Sequence, residues 1–456
     1  MAHIIFPIET VNRELLYKSQ LAGRLAANGF NCYLTQKAQL PFLLSRLSPC
    51  VYICKGYHKD LTEKLAGTIK NAGGSIVGLD EEGAVDFPGF PTIEGRYPEF
   101  VFENYDRVFL WGRKQSEHLQ QRRTAFDPAK VEVSGHPRFE NLGENARANF
   151  GELAAAIRKK EGPFILLNSN SGFGNNLKGD DFVRGNYASR VKYLEQIIRY
   201  DKVKLQAFVQ LAAEILENTD YRIIFRTHPE ESKETYQKLL RSRNIDPGRC
   251  RIDTEHSVLP WIMACDYIVH PDSTSAVEAY LVGKQPLSLL PEDKDRLNTV
   301  LPVEASIAFS EVSKLVTHIQ TGDKELQPRF LDIINEYIHT SSSSSELIVR
   351  ELTNLYRRFP QLQNGLKKRD QWFLRGKFAL QALKYSVYRT KQTRFAMQKS
   401  PKLLASKVRE YINELNVTGL SINSIGKKII HIGPESTARH PAEQGTLGEQ
   451  LPHAQP

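Results

Sequence analysis

One pattern constrains this chain more than any other: short apolar runs alternating with amphipathic stretches, in two successive series. Six runs, at 3–8, 31–35, 50–54, 75–79, 107–111 and 131–134, form the first. Five more, at 163–168, 222–225, 250–253, 266–270 and 287–290, form the second. A brief apolar run bounded by turn residues reads as a strand buried on both faces, and a 3.6-residue apolar period between such runs reads as a helix lying on the sheet. Helices are expected at 13–28, near 41, at 60–72, 115–123, 193–218, 232–242, 258–264 and 275–282. Strand and helix in alternation give a parallel sheet covered on both sides. Two series in 456 residues therefore predict two α/β domains, at 1–145 and 163–325, joined by a polar linker at 146–162. Closing helices are expected at 326–360, a basic amphipathic extension at 361–433 and a disordered Pro/Gly/His/Glu-rich tail at 434–456.

In open parallel sheets the residues just past the strand ends line the ligand crevice, which narrows the search for chemistry. The run at 75–79 ends in Asp80-Glu81-Glu82-Gly83. Two adjacent carboxylates at a strand end suit a general base, since like charges in proximity raise the proton affinity of one of them. The run at 222–225 ends in Arg226-Thr227-His228-Pro229, where an imidazole could donate to a departing phosphate. The run at 266–270 ends in His270-Pro271-Asp272-Ser273-Thr274-Ser275, with Glu278 one turn into the next helix. Hydroxyls and free amides at a helix start bind an anion, and a carboxylate there can hold a ribose diol. The run at 163–168 leads into a Gly/Asn-rich loop containing Asn170 and Gly172, which lacks the Gly-Lys-Ser/Thr ending of a P-loop. Neither series opens with G-x-G-x-x-G, which argues against a dinucleotide oxidoreductase. Gly135-His136-Pro137-Arg138 reads as a turn near the hinge.

Taken together these motifs resemble those of bacterial sialyltransferases and related transferases of CMP-activated sugars. Those enzymes carry D/E-D/E-G and H-P signatures, here Glu81-Glu82-Gly83 and His228-Pro229, and a later hydroxyl pair, here Ser273-Thr274. The layout also resembles the surface carbohydrate (lipopolysaccharide and capsule) biosynthesis proteins, through Arg13-Glu14-Leu15, the loop at 168–176 and the Ser273 to Glu278 helix start. The resemblance implies a GT-B-like fold: two Rossmann-like domains with parallel sheets facing a cleft, plus a basic helical C-terminal extension. It implies inverting, metal-independent transfer of a CMP-linked ulosonic sugar to a glycan or lipid-linked acceptor, with no cofactor. Glu81 would be the base and Glu82 would orient the acceptor or the loop. His228 would stabilise the leaving phosphate with Ser273, Thr274, Ser275, Glu278, His270, Asn170, Gly172 and Arg226, while Glu9, Arg13 and Glu14 would lie on the acceptor side. The family often uses an aspartate as base, whereas both candidates here are glutamates. A nucleotide-sugar 2-epimerase of the same fold, or a non-catalytic polysaccharide-assembly protein, are the competing readings.

The formal net charge of +9 belongs to one segment. Between Leu366 and Arg409 thirteen Lys/Arg face a single acid, Asp370, interleaved with Trp372, Phe373, Phe378 and other large apolar side chains. That composition suits an anionic membrane surface better than nucleic acid, because no nucleic-acid-binding module accompanies it. Five cysteines without metal or redox spacing, no apolar run long enough to span a bilayer and no signal-peptide pattern at the N-terminus lead to an expectation of a cytoplasmic protein, peripheral on the inner membrane face.

Overall fold

The computed structural model describes residues 2–188, 191–356, 366–387 and 402–435. Its first sheet contains β1 (His3–Ile8), β2 (Asn31–Gln36), β3 (Val51–Cys54), β4 (Ser75–Leu79), β5 (Arg107–Leu110) and β6 (Val131–Val133), all parallel. Its second contains β7 (Phe164–Asn168), β8 (Arg222–Arg226), β9 (Cys250–Ile252), β10 (Tyr267–His270), β11 (Pro286–Leu289) and β12 (Ile307–Phe309), also parallel. Strands β1, β3, β4 and β10 are buried along their whole length, and β7 along all but its last residue, as strands covered by helices on both faces must be. The result is two Rossmann-like α/β domains, as the alternation predicts.

Strand order locates the crevices. The parallel strands of the first sheet run β2-β1-β3-β4-β5-β6 and the second sheet runs β12-β11-β10-β7-β8-β9. The winding direction reverses between β1 and β3 in one sheet, and between β7 and β10 in the other. At such a switch point the loops on either side diverge and leave a crevice.

Three segments differ from expectation. The stretch expected as a linker is helix Glu144–Glu161, packed on helix Leu259–Ala264 of the second domain. Strand β12 extends the second sheet beyond the last expected strand. The basic extension does not end as a free amphipathic helix. Helix Ala405–Asn413 lies on helix Val11–Ala27, and β13 (Leu420–Ile425) with β14 (Ile429–Pro434) forms a hairpin whose second strand pairs antiparallel with β2. Ile429, Ile430 and Ile432 are fully buried there, so the hairpin completes the first domain and covers the edge of β2. Residues 388–401 of the basic segment and the tail from 436 lie outside the described residues.

The chain also returns across the domains before that point. Ala84, Trp111 and Phe139 of the first domain share one apolar cluster with Val277, Tyr280, Leu301, Phe330 and Tyr337. Helix Ser344–Tyr356, whose Glu346 amide donates to Ser343 Oγ, then buries Ile348, Leu352 and Tyr356 in the first domain's core. This cluster fixes the acidic turn, through Ala84, next to the helix that carries Glu278.

Candidate active site

The acidic turn is clamped from three sides. Arg96 Nε lies 3.0 and 2.9 Å from the two oxygens of the Asp80 carboxylate, which in turn accepts from the Glu82 amide at 2.8 Å. Trp111 Nε1 donates to the Asp80 carbonyl at 2.8 Å. A Cβ on Gly83 would stand 2.4 Å from the Trp111 ring, so only glycine lets the backbone pass the indole. Asp80 thus serves the turn, and the two glutamates after it point different ways: Glu81 is 5 % exposed, whereas the Glu82 side chain is 52 % exposed.

Glu81 is the inner end of a chain of alternating charges at the switch point of the first sheet. Its Oε1 receives Tyr17 Oη at 2.5 Å and Lys18 Nζ at 2.8 Å. Lys18, fully buried, also donates to Glu14 at 2.7 Å and to the Pro7 carbonyl at 2.8 Å. Glu14 pairs with Lys55 at 2.5 Å and accepts from the Thr10 amide at 3.0 Å, reaching back to the start of its own helix. Lys55 and Lys37 pair with the exposed Glu9 at 3.0 and 3.1 Å. Burial alone would raise the Glu9 carboxyl, but these two lysines bring it down to about 2. Burial works the same way on Glu81, and the Lys18 ammonium, with the Lys18 and Tyr17 hydrogen bonds, holds it well below the usual carboxylate range. Desolvation of Glu82 is outweighed by Arg13 and Arg96, which also lower it. Both glutamates are therefore anions at neutral pH.

The other oxygen of Glu81, Oε2, is buried and has no hydrogen-bond partner. His136 Nε2, likewise unpartnered, lies 4.0 Å from it. His136 Nδ1 accepts from the Arg138 amide at 3.2 Å, which places the ring hydrogen on Nε2. Burial drives this imidazole well below its ordinary pKa, so it is neutral. Two arginines donate to the Glu81 carbonyl, Arg13 at 2.9 Å and Arg138 at 3.3 Å, and Arg13 also pairs with Glu82 at 3.2 Å.

Across from them stands the second domain's switch point. Asn168 Nδ2 donates to Ser273 Oγ at 3.1 Å and Ser275 Oγ at 2.9 Å, and Asn170 Nδ2 to Asp272 at 3.1 Å. The buried Lys204 ties this loop down through Asp201 (2.8 Å), Asp272 (3.3 Å) and the Asn170 carbonyl (3.1 Å). His228 is exposed and lies over Gly172, with its Nδ1 accepting from the Glu230 amide at 3.3 Å. Ser273, Thr274 and Glu278 are half-buried, and Glu278 acts electrostatically on both Arg13 and Arg138, which places it on the facing wall.

The structure thus brings Glu81, Arg13 and Glu14 together on one wall, and Asn170, Gly172, His228, Ser273 and Ser275 on the other. His270 and Arg226 line neither wall. His270 is buried between Ser306 Oγ (2.9 Å) and the Ser273 amide, and burial lowers it to about 4, so it supports the hydroxyl loop from beneath. Arg226 donates to the carbonyls of Glu255 (2.8 Å) and His256 (3.0 Å), committed to the neighbouring loop. Tyr17, Lys18, His136 and Arg138 are the site residues that motif reading does not find. For His136 and Arg138 the sequence signal is Gly135-His136-Pro137-Arg138 just past β6. Among the described residues no group of three or more His, Cys, Asp or Glu could hold a metal.

The architecture is GT-B-like: two Rossmann-like domains with their switch points on facing walls. No protein-family model matches the chain, and no curated protein matches it. Solved structures are similar to the chain at low identity. The UDP-GlcNAc 2-epimerase of Methanocaldococcus jannaschii, in complex with UDP-GlcNAc and UDP, is 15 % identical over 77 % of this chain and 99 % of its own, with a TM-score of 0.46. MnaA of S. aureus with UDP is 14 % identical over 80 % of this chain and 100 % of its own, at 0.48. A variant of the wall teichoic acid polymerase TagF soaked with CDPG is 11 % identical over 78 % of this chain and 88 % of its own, also at 0.48.

Proposed function

We propose that the chain is an inverting, metal-independent glycosyltransferase of bacterial surface polysaccharide assembly, moving a CMP-activated ulosonic sugar to a glycan or lipid-linked acceptor. The observation that carries this reading is the Glu81 carboxylate. One oxygen is fixed by Tyr17 and Lys18, and the other is left without a partner on the wall that faces the hydroxyl loop. In this mechanism the acceptor hydroxyl attacks the anomeric carbon, the bond from that carbon to the phosphate oxygen breaks, and CMP departs with the electron pair. The acceptor proton passes to Glu81 Oε2. A carboxylate held this far below the usual range is a weak base towards a ground-state hydroxyl. It takes the proton as the new bond makes that hydroxyl acidic, and before then its charge steadies the oxocarbenium-like centre.

On the opposite wall Ser273, Thr274 and His228 would receive the phosphate, with Glu278 on the ribose. Helix Ser275–Leu281 is only seven residues long, so the hydroxyls rather than its dipole would do most of this work. The test is Glu81→Gln: transfer should fall by roughly 100-fold or more while CMP binding, read by calorimetry, persists. Full activity in that variant would remove Glu81 as base.

A 2-epimerase is the second reading, favoured by the 4.0 Å approach of Glu81 and the neutral His136, which suits a paired acid and base around one carbon. Titration with CMP and UDP separates the two: tight UDP with no CMP binding selects the epimerase.

The acceptor side is read as a membrane surface. Helix Lys368–Val387 docks through Leu374 and Phe378, while Trp372, Phe373 and Leu380 are 71 %, 59 % and 69 % exposed beside Lys368, Arg369, Arg375 and Lys377. An aromatic-basic helical face of that kind fits an anionic bilayer, each cation contributing about 1 kcal/mol. No helix among the described residues is long and apolar enough to cross a membrane.

A further inference from the structure

We propose that Arg138 is the receptor for a second oxyanion on the substrate, a carboxylate carried by the sugar ring, separate from the phosphate on the opposite wall. The assignment rests on the nucleotide-sugar reading above and begins from an imbalance of charge. Every other cation around the acidic turn stands within ion-pair distance of a carboxylate: Arg13 with Glu82, Lys18 with Glu14 and Glu81, Lys55 with Glu14 and Glu9, Arg96 with Asp80. Arg138, 9 % exposed, has no such partner among the described residues. Its one side-chain hydrogen bond runs from Nη1 to the Glu81 carbonyl at 3.3 Å. The Nε and Nη2 groups are buried and unpartnered.

These two donors form one edge of the guanidinium fork, the edge that takes a carboxylate or phosphate through two parallel hydrogen bonds. The group is held in place for that role. Its Cζ lies 4.8 Å from the Trp111 ring centroid and 4.7 Å from that of Phe139, with backbone donation to His136 Nδ1 from the same residue. A buried cation without a carboxylate in ion-pair contact is costly: burial and the adjacent Arg13 work against its charge, and Glu278, Glu81 and Glu82, acting from beyond contact distance, offset them only in part. A fold keeps such an arrangement where a ligand supplies the missing charge.

The neighbours narrow the class of anion. Glu81 Oε2 and His136 Nε2 are also buried and unpartnered, so a group bound to the Arg138 edge would lie beside the proposed base. A carboxylate attached next to the anomeric carbon meets that requirement. The nucleotide phosphate would be held by the hydroxyl loop across the cleft, and the two anionic groups of one donor would be read by opposite walls.

The experiment uses the full-length chain and calorimetric titration with N-acetylneuraminate, its methyl ester, inorganic phosphate and CMP, each alone. Wild type should bind the free acid and not the ester. Arg138→Gln should bind the acid roughly 10- to 100-fold more weakly, and Arg138→Lys, which keeps the charge but loses the fork, should fall between them. CMP affinity should be the same in all three proteins. Equal binding of acid and ester, no binding of the acid by wild type, or an acid affinity unchanged in both variants would overturn the assignment. Arg138-dependent binding of phosphate without the sugar acid would overturn it too, by making the site a phosphoryl site. Loss of CMP binding by wild type would instead count against the nucleotide reading, so the two failures are told apart.

Discussion

Lys18→Met tests the buried charge chain most directly. Lys18 is 1 % exposed and holds two carboxylates, at 2.7 Å from Glu14 and 2.8 Å from Glu81. Methionine fills similar volume, so the change removes charge and hydrogen bonds with little loss of packing. Glu14 keeps Lys55 and two backbone amides, whereas the Glu81 carboxylate keeps in direct contact the Tyr17 hydroxyl, with the neutral His136 at 4.0 Å and Lys55, Arg13 and Arg138 acting from farther away. Removing one partner of a buried ion pair costs about 3–5 kcal/mol because the other charge stays behind. At about 2–4 °C per kcal/mol for a domain of some 200 residues, the melting temperature should fall by roughly 6–20 °C at pH 8. The pH dependence fixes the cause. In the wild type the depressed Glu81 gives stability that is fully present above the unfolded carboxylate pKa of about 4.3, so this group leaves stability flat between pH 5 and 8. Without Lys18, burial dominates and Glu81 titrates above its unfolded value; stability is then lost as pH rises through the folded pKa. The deficit of the variant should therefore shrink on going from pH 8 to pH 5. Adding Glu81→Gln should restore part of the loss, since no uncompensated charge remains. A deficit below about 1 kcal/mol, or one equal at both pH values, would refute the reasoning.

Gly83→Ala forces a Cβ to within 2.4 Å of the Trp111 ring and should cost about 1–3 kcal/mol in thermal unfolding, with transfer falling as the turn shifts. His228→Ala removes an exposed side chain that touches no core group; melting should move by no more than about 0.5 kcal/mol while turnover drops roughly 100-fold, seen in single-turnover assays. Trp372→Ser with Leu380→Ser removes two exposed apolar groups from helix Lys368–Val387. Co-sedimentation with phosphatidylglycerol vesicles should weaken at least about tenfold with melting unchanged; undiminished co-sedimentation would dismiss the helix as the membrane contact.

Much of the fold is legible because buried parallel strands advertise themselves. The runs at 3–8 and 75–79 coincide with β1 and β4 residue for residue. What escapes is structure whose signal is weak or lies elsewhere. Strand β12 is three residues with partly exposed side chains, too short for any periodicity. The hairpin of β13 and β14 has a readable pattern, apolar residues at 422, 425, 430 and 432 around a Gly426-Lys427 turn with positive φ at both positions. It is hidden by its position after a strongly basic stretch, where composition points to a surface tail. Its partner is β2, nearly 400 residues earlier, and no local rule reaches that far.

The candidate site divides along the same line. Glu81 and Glu82 are equivalent as sequence, and only the clamp of Arg96, Trp111 and Gly83 sends one inward and the other out. Glu14 and Lys18 look like a routine i,i+4 pair, which on most helices is solvated and contributes little. Yet they fall in register with Leu21 and Leu25, on the buried stripe of helix Val11–Ala27. A charged pair set into an apolar stripe must be neutralised by something facing it, and the facing group is Glu81. That register is the one feature of the first helix whose residue order alone points to a buried network. Arg138 leaves no comparable trace. Its importance lies in the carboxylate it lacks, and a missing partner can be recognised only once every neighbouring charge has been placed.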